Sequence, residues 1–117
     1  MKTKSMMRCK TWDIVLVPFP FTNLQTTKKR PALIISPDNY NKGPDVIILF
    51  ITSNVQSFGR TGDTIIKKWK ESGLPKPSMI RMKFATLKRS MILKKIGNLN
   101  NTDRERVRKT MLDFFDG

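Results

Sequence analysis

The chain has no histidine, one cysteine and only nine carboxylates in 117 residues. Each shortage excludes something. Without His, the usual acid–base pair of metal-free ribonucleases is gone, and so is the commonest transition-metal ligand. A single thiol, Cys9, forms no internal disulfide and no thiolate metal cluster, which fits a reducing, cytoplasmic compartment. The carboxylates are scattered. Asp103 and Glu105 lie close together, but at a helix start they read as dipole compensation, not as a two-metal or glycosidase pair. No apolar run approaches the roughly 18 residues of a membrane span. The basic start MKTKSMMRCK lacks the continuous apolar segment of a signal peptide. Walker, GxGxxG and GxSxG motifs are missing too. An enzyme built from this inventory works with Arg, Lys, Ser, Thr, Tyr and the backbone, and no metal or cofactor is expected.

Positive charge is what the chain has in excess. Lys and Arg number 23, giving a formal net charge of +14 and a pI near 10.5. Such an excess opposes compaction and attracts polyanions at long range. Nucleic acid is the first expected partner and an anionic membrane surface the second, with plain solubility as the bland alternative. The length fits one domain with a single modest core.

The most informative stretch is WDIVLVPFPFTNLQTTKKRPALIIS, Trp12 to Ser36. Two β-branched-rich runs, 12–19 and 31–36, flank a polar basic loop from about Thr22 to Lys29. Pro18 and Pro20 are expected to break or bend the first strand. Residues 1–10 read as a mobile basic tail, and 11–117 as a single domain. After a turn-rich segment, 37–44, the run 46–53 is nearly all apolar and reads as a central strand covered on both faces. A loop over 56–62 and a short strand at 63–66 follow. Ser78 to Phe84 alternates, placing Ile80, Met82 and Phe84 on one face and Met79, Arg81 and Lys83 on the other. Residues 85–90 read as a single helical turn and 91–96 as a last short strand. Thr102-Asp103-Arg104-Glu105 has the form of a capping box, so an amphipathic helix is expected from Thr102 to about Phe115. Many short strands with frequent turns describe a small barrel or sandwich.

Cleaving RNA suits these residues, because the neighbouring 2′-OH attacks its own phosphate and no external nucleophile is needed. The protein then has to align ribose and phosphate and neutralise the charge that builds on the phosphorane. A guanidinium clamps phosphate oxygens, and a hydroxyl accepts from the 2′-OH or donates to phosphate. Arg30 and Thr52, each at the end of a core strand beside a loop, are the natural pair. Each also has a structural reading: Arg30 as a surface cation, Thr52 as an ordinary strand residue. Arg81 and Lys83 fit a phosphate-binding face and a solvated strand face equally. Trp12, Phe19, Phe21 and Phe50 read as core or interface. Composition and spacing alone stop at a basic, mainly-β nucleic-acid binder.

The blocks DIVLVPFPF, KRPALIIS, VIILFITSN, GLPKPSMIRMKFATL and LKKIGNLNNTDRERVRKTML, taken in order, resemble the MazF/PemK-type toxin family of mRNA interferases across about residues 12–115. The resemblance implies an SH3-like β-barrel (CcdB/PemK-like) with short helices and a C-terminal amphipathic helix. It further implies a homodimer from a bacterial toxin–antitoxin module, cutting single-stranded RNA without metal and leaving 2′,3′-cyclic phosphate and 5′-OH ends. By the same resemblance Arg30 stabilises charge and acts as acid, while Thr52 holds and activates the scissile unit. Thr26, Thr27, Lys28, Lys29, Ser53, Arg81 and Lys83 become RNA contacts, and the loop before Arg30 a gate that antitoxin displaces. The implied partners are single-stranded RNA and an acidic, partly disordered antitoxin, with DNA reached only through the antitoxin complex. A non-catalytic nucleic-acid-binding regulator or a topoisomerase-poisoning toxin on the same barrel is the alternative. Two departures stand out. Trp12 takes the place where relatives usually carry Gly, and Arg81 and Lys83 lie on a strand where some carry Gln. The first should alter turn geometry, the second sequence preference.

Overall fold

A computed structural model describes residues 7–19 and 28–117. Six strands form one curled antiparallel sheet: β1 Asp13–Phe19, β2 Lys28–Ile34, β3 Asp45–Thr52, β4 Thr64–Ile65, β5 Met79–Lys88 and β6 Lys94–Asn98. Their spatial order is β4-β5-β3-β2-β1-β6. Two helices complete the described fold, α1 Asp38–Asn41 in the turn-rich segment and α2 Asn101–Asp116 at the end.

The apolar runs work by alternation. On one face of the sheet Val15, Val17, Ala32, Ile34, Val46 and Ile48 form a cluster with Leu87 and Ile92. On the other, Ile14, Leu33, Leu49, Ile51 and Ile80 pack with Ile66, Leu74, Leu99 and Val107 of α2. The central β3 therefore has apolar cover on both faces, as its composition indicates. Burying each of these side chains contributes about 1.5–3 kcal/mol. Val107 is fully buried and fixes α2 to the second face.

Several local expectations are corrected. Cys9, expected in a mobile tail, is 4% exposed and packs in the first cluster, because a small thiol behaves as a hydrophobe. Residues 1–6 lie outside the described ones. Pro18 does not interrupt β1. Leu16 O accepts from Leu93 N, so Leu16 and Pro18 point towards the β6 side, and β6 pairs no further than Leu16. The missing N–H of Pro18 thus falls beyond the ladder. Lys28 and Lys29, read as loop, begin β2 by pairing with Phe19 and Pro18. Residues 85–88, read as a helical turn, extend β5 against Asp45–Ile48, and only Arg89–Met91 form a 3-10 turn. The tertiary ladder overrides a locally helical composition.

Helix α2 starts ahead of its expected box. Asn100 is the N-cap and its side chain accepts from Thr102 N at 3.0 Å. Asp103, read as dipole compensation, is 0% exposed. It accepts from Lys67 N at 3.0 Å and Lys68 N at 2.8 Å, and pairs with Arg106 at 2.6 Å. It is a clamp that ties an irregular segment to the helix. Trp12 adopts φ 77, the left-handed conformation that Gly takes without penalty. An L residue there costs about 1–2 kcal/mol. Packing against the second cluster offsets that cost, together with backbone bonds from Trp12 N to Ile34 O and from Leu99 N to Trp12 O.

Candidate functional site

The site follows from where two strands part. β2 and β3 pair at Ala32↔Phe50, Leu33↔Leu49 and Ile34↔Ile48, and the ladder stops there. Carrying that register one step of the pleat further sets Arg30 across from Thr52. The ladder stops short of that pair, and both residues line one cleft. Between them lies a cleft of about 380 Å³ lined by Phe19, Arg30, Phe50, Ile51, Thr52, Ser53, Asn54, Arg60, Arg81 and Lys83.

Arg30 is held at its place by β1, opposite Val17, and its side chain is exposed to the cleft. Thr52 closes β3 opposite Met79. Its Oγ1 accepts from Asn54 N at 3.1 Å. That bond uses one lone pair and leaves the hydroxyl proton and a second lone pair for a ligand. Ser53 is exposed beside it.

A register shift in β5 supplies the third wall. Leu49 pairs with Phe84 but Phe50 with Arg81, so Met82 and Lys83 stand outside the ladder. Bulges of this kind re-aim side chains beside sites. Lys83 Nζ lies 5.2 Å from the centroid of Phe50, and Phe50 meets Phe19 edge to face at 5.4 Å. Both rings, read from the sequence as core or interface, line the cleft and touch each other.

Arg81 is more tightly engaged than a free phosphate-binding face implies. Its Nε donates to Asp63 Oδ1 at 3.1 Å and its NH2 to Asp63 Oδ2 at 2.9 Å, a bidentate pair. NH2 also donates to Ser57 O at 3.0 Å. Asp63 in turn accepts from Gly59 N at 3.1 Å and Arg60 N at 2.9 Å. The Arg81 guanidinium, helped by those two amides, lowers the Asp63 pKa to about 2. One carboxylate thus gathers the loop between β3 and β4 and sets Arg60 at the cleft. Gly62, φ 89, lets this loop close, since a Cβ there would meet Met82 Cγ at 2.3 Å.

Of the sequence-derived residues, Arg30, Thr52, Ser53, Arg81 and Lys83 line one cleft. Lys28 and Lys29 are exposed on β2 but are not among its lining residues. Thr26 and Thr27 lie outside the described residues, with most of the expected gate loop. Arg60, Asn54 and Asp63 were not anticipated. Their only sequence signal is a polar stretch between glycines, 59–63, with an acid at its end. Among the described residues no three His, Cys, Asp or Glu side chains converge as metal ligands, and no helix is long and apolar enough to cross a membrane.

Comparison with solved structures shows the same fold. MazF of Deinococcus radiodurans superposes with a TM-score of 0.72 at 18% identity, over 95% of this chain and 99% of that one. The Mycobacterium tuberculosis toxin MazF-mt6 gives 0.72 at 20% identity, over 89% and 96%. An endoribonuclease from a mycobacterial species, in complex with its cognate antitoxin, gives 0.69 at 13% identity, over 91% of each chain. No curated protein sequence matches the chain. The mainly-β, SH3-like barrel with a C-terminal helix is therefore the fold of this protein. The model of the family described as PemK-like, MazF-like toxin of type II toxin–antitoxin system matches residues 10–115. The chain belongs to that family.

Proposed function

We propose that this protein is a toxin endoribonuclease that cleaves single-stranded RNA without a metal ion, with Arg30 and Thr52 as its catalytic residues. One observation carries the reading: Arg30 and Thr52 face a common cleft at the point where β2 and β3 separate. The scissile phosphate lies between them. The 2′-OH of the preceding ribose attacks phosphorus as its proton passes to water, the bond to O5′ breaks as Arg30 protonates O5′ and is reprotonated from water, and a 2′,3′-cyclic phosphate and a 5′-OH result. Arg30 neutralises the phosphorane oxygens as they gain charge. Thr52 Oγ1, fixed by Asn54 N, accepts from the 2′-OH and aligns it for in-line attack. Arg60 and Lys83 flank the strand as cationic walls, and Ser53 donates to a neighbouring phosphate oxygen.

The net charge of +14 supports an acidic antitoxin as the neutralising partner, drawn by charge and folding as it binds. A homodimer is part of the same reading. Two such cations repel, so the interface has to be apolar. The exposed Phe58, Leu112, Phe114 and Phe115 supply such a surface, with Phe114 and Phe115 stacked near Phe84.

Primer extension on RNA treated with purified protein in EDTA tests the reading. Discrete stops with wild type, absent with Arg30→Ala and with Thr52→Ala, are expected. RNA that is bound in a salt-sensitive way but never cut assigns the protein to a non-catalytic binding role.

A further inference from the structure

The catalytic reading leaves unused a larger cleft of about 630 Å³ at the opposite end of the sheet. It is lined by Arg8, Cys9, Lys10, Asp38, Asn41, Lys42 and Arg89. These residues come from the segment before β1, from α1 after β2, and from the turn after β5. Thr52 ends β3 at one cleft, and α1 and Arg89 stand near the other end of that eight-residue strand, about 23 Å away.

The charge here is concentrated and unpaired. Four of the seven lining residues are cations, against 23 in 117 for the whole chain, so the excess is local. Among the described residues none of the four makes an ion pair. The single carboxylate, Asp38, is already engaged: its Oδ1 accepts from Thr11 N at 3.0 Å and from Thr11 Oγ1. Arg89 Nε is buried without a hydrogen-bond partner, the one such side-chain atom among the described residues. The wall is rigid. Asn41 is 1% exposed and exchanges hydrogen bonds with Ser36, donating to its carbonyl and accepting from its hydroxyl. Cys9 is no nucleophile here, because burial, with Asp13 nearby, raises its thiol pKa.

We infer that this second cleft binds phosphates of the RNA strand beyond the segment held at Arg30 and Thr52, acting as an exosite for long RNA. Arg89 contributes its guanidinium charge from the cleft wall, and Arg8, Lys10 and Lys42 add to it. The inference takes from the proposed function only the identity of the polymer. Its test is binding, which stays readable whether or not the protein cuts.

The test uses full-length protein and 2′-O-methyl RNA, which has no free 2′-OH, in a short form covering one cleft and a longer form reaching both. Affinity is measured over a salt series for wild type, Lys42→Gln and Arg89→Gln. Lys42 is exposed, so its variant guards against misfolding of the other. Lys109→Gln removes the same charge from α2 as a control. For long RNA, each cleft variant should bind a few-fold more weakly, with a log–log salt slope shallower by about 0.7 for the lost phosphate contact. Short RNA and the Lys109→Gln control should not separate from wild type. Unchanged affinity and slope for long RNA in both cleft variants overturns the exosite, as does an equal loss with short RNA. Loss of antitoxin affinity with RNA binding intact gives the cleft to an acidic polypeptide instead. Failure of wild type to cleave ordinary RNA counts against the proposed function alone.

Discussion

The two ends of the sheet carry comparable charge but hold it differently. At the Arg30–Thr52 end three of the cations are positioned, while Arg30 itself makes no ion pair among the described residues. Arg81 is locked to Asp63 in a bidentate pair, the Arg60 backbone N–H donates a hydrogen bond to the same carboxylate, and Lys83 rests over Phe50. At the Arg89 end, among the described residues, no carboxylate pairs with any of the four cations. Chemistry on a phosphate needs groups fixed to within a fraction of an ångström, whereas holding a distant stretch of backbone needs mainly charge. On the proposed reading, the difference between the ends is a difference between a site that reacts and a site that retains.

Perturbations at the first end should be the most severe. Arg30→Ala is expected to lower the cleavage rate by about 10²–10³-fold, the usual loss for one charge-stabilising donor. Its side chain is exposed, so thermal unfolding should barely move. A single-turnover assay with circular dichroism as control separates the two.

Asp63→Asn comes next, because it breaks the clasp without touching the reacting atoms. Misplacing Arg60 and freeing Arg81 should cost about 10- to 100-fold in kcat/KM. Asp63 also leaves a pH signature. Its folded pKa is depressed to about 2 from an ordinary 3.8, so its stabilisation is fully present above the ordinary value and lost as pH falls through the folded one. Wild type should unfold at a higher temperature than Asp63→Asn above pH 4, and the gap should close towards pH 2. A gap that persists unchanged at pH 2 removes Asp63 as the clasp.

Asp103→Asn sharpens the contrast from outside both ends. It leaves Lys67 N and Lys68 N with a weaker acceptor and Arg106 without its anion. A loss of about 1.5–3 kcal/mol in stability is expected by denaturant unfolding, with the rate per folded molecule unchanged. The smallest effects belong to the second cleft, where Lys42→Gln should change affinity for long RNA only a few-fold.

Strand placement was legible because the apolar runs are long and β-branched. β1, β3 and the first half of β5 fall where alternation and composition set them. What escaped depends on contacts remote in sequence. The Lys28–Lys29 start of β2 looks like loop until Phe19 and Pro18 are known to pair with it. Residues 85–88 look helical until Val46 and Ile47 are seen opposite Leu87 and Thr86. Asp103 resembles any acid in a first helical turn, and only burial against Lys67 and Lys68 reveals the clamp. At the site, Arg30 and Thr52 stood out by lying at strand ends next to polar loops. Arg60 and Asp63 did not, because nothing local says that Arg81, far along the chain, closes their loop. Trp12 was expected to alter turn geometry, and its backbone is in the left-handed conformation that Gly favours.

The most direct measurement uses an oligoribonucleotide spanning the mapped cut, with a single 2′-H replacing the 2′-OH on the 5′ side of the scissile phosphate. The expected result is binding within a few-fold of the all-ribo strand and no cleavage in EDTA, while the unmodified strand yields 2′,3′-cyclic phosphate and 5′-OH ends. Cleavage of the deoxy-substituted strand at the normal rate, or of either strand only when magnesium is present, contradicts 2′-OH attack promoted by Arg30 and Thr52.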